Sequence, residues 1–282
     1  TERPSKCSTN SPALRFGIES TRYGKQGLED EVFTRILDEL CLVERVKWEN
    51  TPSGFTHKDI VPWKFRRRLS SIYRPIMQLN ISRNSVYLIA PSFIREGYVY
   101  RVTRAYWAEF DDSHFKTDEM KYWIGHKRNI DGHDFNSEVS NMLASSGWSC
   151  KTEVEMPELG IETSGKNFGD IDVLAWNTTE NRIAVIECKN LMFPKTTGEV
   201  ARQVQEFVGI CDDKGDPDRL KKHLDRMELL NENRSFVEKF VSIKCDNIES
   251  VLVFKNPVPI SFNESDGLSK VRVVYFDALN VF

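Results

Sequence analysis

Only six of the 282 residues are cysteine and five are histidine. Cys7, Cys41, Cys150, Cys188, Cys211 and Cys245 include no C-x-x-C pair and no histidine neighbour at zinc-ligand spacing, which argues against a structural zinc site. So few cysteines in so long a chain also argue against a disulfide-held scaffold, and a reduced, cytoplasmic setting is expected. No apolar run approaches the ~18 to 20 residues that cross a bilayer, so no membrane partner is expected. There is no G-x-x-x-x-G-K-[ST] loop, which argues against an NTPase within this chain. Repeats and low-complexity tracts are lacking too. The opening Thr1 to Lys6 has neither a methionine nor an apolar signal core, as in a processed or partial N-terminus.

What is present is an ordinary globular composition, 40% hydrophobic and 29% charged, with length enough for two modest domains that each bury a core. The net charge of −3 conceals an asymmetry. Up to residue 130 there are 22 lysines and arginines against 16 acids, and after it 17 against 26. A basic half beside an acidic half suits a metal-dependent enzyme acting on a polyanion: one half attracts phosphate, and a cation neutralises part of the other.

The chain is organised around Phe168 to Leu191. Two short runs rich in β-branched residues, Ile171 to Trp176 and Ile183 to Ile186, flank the turn-forming Asn177 to Asn181, which spells a β-hairpin. Side chains alternate faces along a strand, so Glu187 and Lys189 share a face with Ile183 and Val185, while Cys188 points the other way. If the hairpin closes about Thr179, Asp172 falls opposite Ile186 or Glu187, within cross-strand reach of the second carboxylate. Paired carboxylates at a strand end suit Mg²⁺ or Mn²⁺, which take oxygen ligands and keep some of their waters. A lysine beside them can orient a water or offset charge on a phosphate. The plainer alternative is a solvated sheet face, against which stands the continuity of Glu187 and Lys189 with the apolar run Ile183 to Ile186.

Asp172 followed by Glu187-Cys188-Lys189 resembles the PD-(D/E)xK nuclease superfamily over roughly residues 131 to 282. A helix from about Asp134 carrying Glu138, a strand-like Trp148 to Met156, and a later helix with Gln203-Val204-Gln205-Glu206-Phe207 strengthen the likeness. Ile171 stands where the family name has proline. The resemblance implies a restriction-endonuclease-like α/β sandwich with a mixed central sheet. It also implies Asp172, Glu187 and the Cys188 main-chain carbonyl as ligands of Mg²⁺ or Mn²⁺, with Glu138 assisting through water. Lys189 would position the nucleophile, and Gln203 would orient Lys189 or a phosphate.

Elsewhere, Leu28 to Val46 carries the three- and four-residue stripe of an amphipathic helix, from Val32 to Val46, after an irregular arm over residues 1 to 27. Lys58 to Arg104 is the most basic stretch, with aromatics interleaved. Lys64, Arg66, Arg67 and Arg68 are candidate phosphate contacts. The aromatics are read chiefly as core residues of strands such as Val86 to Pro91 and Tyr98 to Phe110. A short helix over Asp118 to Ile124 is expected to end at Gly125, with a domain boundary following it. Phe135, Val139, Met142 and Leu143 form the buried stripe of the next helix, stopped by Gly147. Helices over Glu199 to Cys211 and from Asp218 to about Asn231 follow, the second with Lys221, Lys222, His223 and Arg226 on a solvated or DNA-facing side. Ile248 to Phe254 and Lys270 to Phe276 complete the strands.

The expectation is therefore a basic α+β domain over residues 1–129, holding or selecting substrate, and a nuclease-like domain over 130–282. The activity expected is metal-dependent hydrolysis of nucleic acid, with DNA favoured over RNA. The alternative is a nuclease-fold module without activity that binds nucleic acid or scaffolds a larger complex. A protein partner or self-association is compatible with either.

Overall fold

The computed structural model describes residues 30–64, 67–81, 84–110, 114 and 117–281. The chain divides into two compact units, Thr1–Leu40 and Cys41–Phe282. Within the first lies α1 (Asp30–Leu40), shorter at its C-terminal end than the expected stripe. Cys41–Val43 instead begins the second unit as β1, a switch that the β-branched and apolar residues there permit.

The second unit is a mixed α/β structure with two mixed sheets. Strands β1, β2 (Ile76–Ile81) and β3 (Asn84–Ile89) form a three-stranded sheet in that order, β1 and β2 parallel, β2 and β3 antiparallel. Pro91 then opens α2 (Pro91–Tyr106), correcting the strand expected over Tyr98 to Phe110. Proline at the first helical position lacks only an N–H that would be unpaired anyway, and it commits the following residues to a helix. Tyr98 and Tyr106 are consequently exposed, at 68% and 65%, while Tyr100 packs edge-on against the buried Tyr73.

One helix, α3 (Asp118–Ser145), replaces the two expected and passes through residue 129 without a break. Gly125 and Gly132 do not stop it: each faces open space, and a helical glycine costs only about 1 kcal/mol relative to alanine. The N-terminal half of α3 buries Ile124 against Tyr73, Ala108 and Phe110. Its C-terminal half buries Phe135, Val139 and Leu143 against the larger sheet. These recur every four residues and so lie on one face. Gly147 (φ +89°) follows the helix end as expected.

The larger sheet has the order β4 (Ser149–Val154), β5 (Ile171–Asn177), β6 (Arg182–Lys189), β7 (Ile248–Phe254), β8 (Arg272–Tyr275). The first two pairings are antiparallel and the last two parallel. The β5–β6 turn is held by Asn177, whose side-chain oxygen accepts from the N–H groups of Thr179 (2.9 Å) and Glu180 (3.1 Å). Ile183 to Ile186 are all fully buried, each large side chain stabilising the fold by roughly 1.5–3 kcal/mol. Two layers cover the sheet. On one face α3 packs against Val173, Ile186, Cys188 and Val253; on the other, Ile171, Leu174, Ile183 and Val185 meet α5 (Arg219–Glu232) and α6 (Arg234–Val241). Between β6 and α5 lies α4 (Thr197–Gln205), shorter than expected, with Phe207 buried in the turn after it. Among the described residues no helix is long and apolar enough to cross a membrane.

Candidate active site

The hairpin of β5 and β6 pairs from Asn177 with Arg182 to Val173 with Ile186, and the ladder ends there. The next residues outward are Asp172 and Glu187, so of the two expected registers the one opposing the carboxylates is realised. The ladders on either side run on: β4 pairs with β5 as far as Ile171, and β6 with β7 as far as Lys189. A gap thus opens between the two central strands. The Cys188 N–H, with no β5 carbonyl to meet, donates to Asp172 Oδ2 at 2.7 Å. Successive residues of a strand present their carbonyls to opposite edges, and the Lys189 carbonyl accepts from the Lys255 N–H just beyond β7 (3.0 Å). The Cys188 carbonyl therefore faces the gap and Asp172.

Lys189 closes the cluster. Its Nζ lies 2.5 Å from Glu187 Oε1 and 3.9 Å from Asp172 Oδ2. The side chains of Asp172, Glu187 and Lys189 are 18%, 11% and 22% exposed, which rules out a solvated sheet face. Burial, reinforced by the charge of Glu187, pushes the Asp172 carboxyl up to about 6 against the pull of Lys189, the Cys188 N–H and Arg226. Burial would raise Glu187 as well, but the charges of Lys189 and Arg226 outweigh it and hold that carboxyl well below the ordinary range. Burial also raises the Cys188 thiol, which stays protonated, so at this residue only the carbonyl is a candidate ligand.

Two residues of this cluster correct the expected solvated side of α5. His223 is fully buried and Arg226 nearly so. Arg226 Nη1 donates to Glu187 Oε2 at 2.6 Å and Nε to the Phe168 carbonyl at 3.0 Å. His223 Nε2 bonds Ser250 Oγ on β7 at 2.9 Å, and its Nδ1 stands 3.7 Å from Glu187 Oε2, beyond hydrogen-bond distance. Burial pushes the imidazole pKa down, so it is neutral. The sequence carries the signal: Leu220, His223, Met227 and Leu230 recur at helical spacing with Arg226 alongside, putting polar residues on an otherwise apolar stripe.

Glu138 is not brought to the carboxylates. It pairs with Lys255 Nζ at 2.7 Å on the α3 side of the sheet, whereas Asp172, Glu187 and Lys189 share the opposite face. Gln203, on α4, donates from Nε2 to the Met192 carbonyl at 2.5 Å, and its Oε1 is buried without a partner. It braces the segment leaving β6 rather than touching Lys189.

Of the candidate phosphate contacts, Arg66 lies outside the described residues. Arg68 is committed elsewhere: it donates to both oxygens of the buried Asp59, at 2.8 and 2.6 Å. Arg67 donates to the carbonyls of Pro62 and Lys64, both at 3.2 Å, bracing its own loop. Lys64 is half-buried in that loop. The neighbouring Trp63 packs over Gly198 at the start of α4, where an added Cβ would lie 3.0 Å from its ring.

Among the described residues no three or more His, Cys, Asp or Glu side chains converge to hold a metal ion. The donor set in the gap is two carboxylates and one main-chain carbonyl. That fits Mg²⁺ or Mn²⁺, which are commonly held by one or two carboxylates with waters and substrate phosphate completing the shell. A carboxyl raised to about 6 by burial and by a neighbouring like charge is also one that a cation would relieve.

A family model described as Upx-like, anti-phage protein Upx-like, matches residues 17–280. No curated protein and no solved structure matches the chain.

Proposed function

The chain belongs to the Upx-like family of anti-phage proteins, and we propose that it acts in phage defence as a Mg²⁺- or Mn²⁺-dependent nuclease, with DNA the favoured substrate. One observation carries this reading: Asp172 and Glu187 both lie within 4 Å of Lys189 Nζ where the ladder between two central strands gives out. Their spacing resembles the PD-(D/E)xK pattern, and a restriction-endonuclease-like core is the fold that goes with it.

In this reading Asp172, Glu187 and the Cys188 carbonyl hold the cation, which when bound polarises the scissile phosphate and lowers the pKa of a water. Asp172 must be ionised to bind it. Lys189, on the same face, holds the attacking water or offsets the charge that develops on the phosphate. Arg226 keeps Glu187 ionised and directed at the gap. Gln203 fixes the chain leaving Lys189 through Met192. Glu138, held by Lys255 on the other face of the sheet, is left out of the set that holds the cation. Lys64, Arg66 and Arg67 remain the candidates for backbone contact, and Arg68 contributes by holding their loop.

The test is incubation of the protein with circular and linear DNA, with Mg²⁺, with Mn²⁺ or with EDTA, beside Asp172→Asn and Glu187→Gln. Cleavage that needs the ion and vanishes in both variants is expected. Full activity of either variant, or of wild type in EDTA, overturns the assignment. A second reading, a nuclease-fold module that binds without cleaving, draws on the balance of the cluster, since Lys189 and Arg226 offset both carboxylates without an ion. Binding of DNA with no cleavage under any ion would favour it.

A further inference from the structure

Arg226 does more than fill space under the carboxylates. Its guanidinium joins three pieces of chain. It donates to Glu187 on β6 and to the Phe168 carbonyl in the loop that leads into β5. Its Nη2 lies 3.0 Å from the point where a side chain would begin at Gly169, whose φ of +70° favours glycine. The backbone before Asp172 is thus shaped around this side chain. Glu187 is gripped at both oxygens, by Arg226 at Oε2 and by Lys189 at Oε1.

The charges around the gap follow. Asp172 and Glu187 bring two negative charges when ionised, and Lys189 and Arg226 two positive. A divalent cation entering such a site gains no net attraction from it, though each carboxylate alone would draw it. Phosphate oxygens supply both the missing charge and further ligands. On the nuclease reading above, we propose that Arg226 is a positioning residue that aims Glu187 and, as an internal counter-ion, makes cation binding depend on the phosphate backbone of the nucleic acid. The site then loads its ion together with substrate.

Calorimetric titration of Mn²⁺ into the full chain tests this, alone and with a cleavage-resistant phosphorothioate DNA duplex, after subtracting the ion taken up by the duplex itself. The duplex should tighten Mn²⁺ binding about tenfold or more, the scale on which one neighbouring charge shifts a proton equilibrium. Arg226→Gln should tighten Mn²⁺ binding to the free protein by a similar factor and shrink the gain from DNA, and Arg226→Lys should restore wild-type behaviour. A merely structural arginine would not yield a variant that binds the ion better. Equal Mn²⁺ affinity of the wild type with and without duplex overturns the proposal, and this comparison decides even if Arg226→Gln fails to fold. Weaker or unchanged binding in a folded Arg226→Gln, with Asp172→Asn abolishing it, overturns the counter-ion role while leaving the metal site standing. Unchanged binding in Asp172→Asn overturns the nuclease reading and this proposal with it.

Discussion

Asp59, between the first two strands of the three-stranded sheet, and Glu187, at the centre of the five-stranded one, are both buried carboxylates gripped by an arginine. Asp59 accepts from the backbone N–H and hydroxyl of Thr56 and from two nitrogens of Arg68, between 2.6 and 2.9 Å. These donors engage both its oxygens, and its arginine is answered by it in return. Glu187 has Arg226 and Lys189, but a second carboxylate stands beside it and the strand ladder stops there. The same ion-pair chemistry makes a closed fastener where a single carboxylate takes all the donors around it. It leaves a site where two carboxylates converge at the end of a ladder.

The largest effect that tests this likeness is on stability. Glu187→Ala and Asp59→Ala each leave a largely buried arginine without its partner and should cost about 3–5 kcal/mol, read by urea unfolding. A neutral result in either would show that its arginine relaxes into water and that the two are not equivalent. Glu187→Gln, which keeps the shape, is for that reason the better probe of activity.

Next in size is Lys189. Lys189→Met should lose turnover by roughly 10² or more, the scale of a positioned proton-transfer or electrostatic group, while Mn²⁺ binding is kept or tightened. Equal loss of Mn²⁺ affinity would make Lys189 a structural counter-ion and the hairpin a second fastener.

The two regions should also respond to pH with opposite sign. Burial would raise Asp59, but Arg68 and Thr56 hold it well below its ordinary value. Its contribution is therefore present at neutral pH and lost as pH falls below about 4 toward the depressed folded value. Asp172 is raised to about 6 from 3.8. Its contribution is complete below 3.8 and lost as pH rises through about 6. Asp172→Asn should thus raise the melting temperature near pH 7.5 and change it little near pH 4, while Asp59→Asn should lower it near pH 7.5. Melting curves of both variants at the two pH values check this. A drop for Asp172→Asn at the higher pH would contradict the raised carboxyl.

The smallest effect concerns the basic loop. Lys64→Ala should reduce the slope of log K against log salt for DNA binding by about one. Arg68→Ala should lower stability and leave the slope unchanged if its charge is spent on Asp59. A flatter slope in Arg68→Ala would return that arginine to the DNA-binding surface.

The strand-and-turn pattern of residues 171–189 was legible in the sequence because each signal there is local. Alternation, β-branching and an Asn-initiated turn act within a few residues, and they suffice to put Glu187 and Lys189 on one face; whether Asp172 stood opposite Ile186 or Glu187 was left to the register, which the structure fixes. Helix α2 was misread because arginines and aromatics satisfy both a period of two and one of 3.6, with only Pro91 to decide. Gly125 in α3 looked like a stop because what a glycine faces is settled by packing. The roles of Arg226, Arg68 and Glu138 were decided by the tertiary structure alone. Each depends on a partner distant in sequence: Glu187 39 residues before Arg226, Asp59 nine before Arg68, and Lys255 117 beyond Glu138. Sequence periodicity specifies which way a side chain points from its own element, but which charge it meets is set only when elements pack.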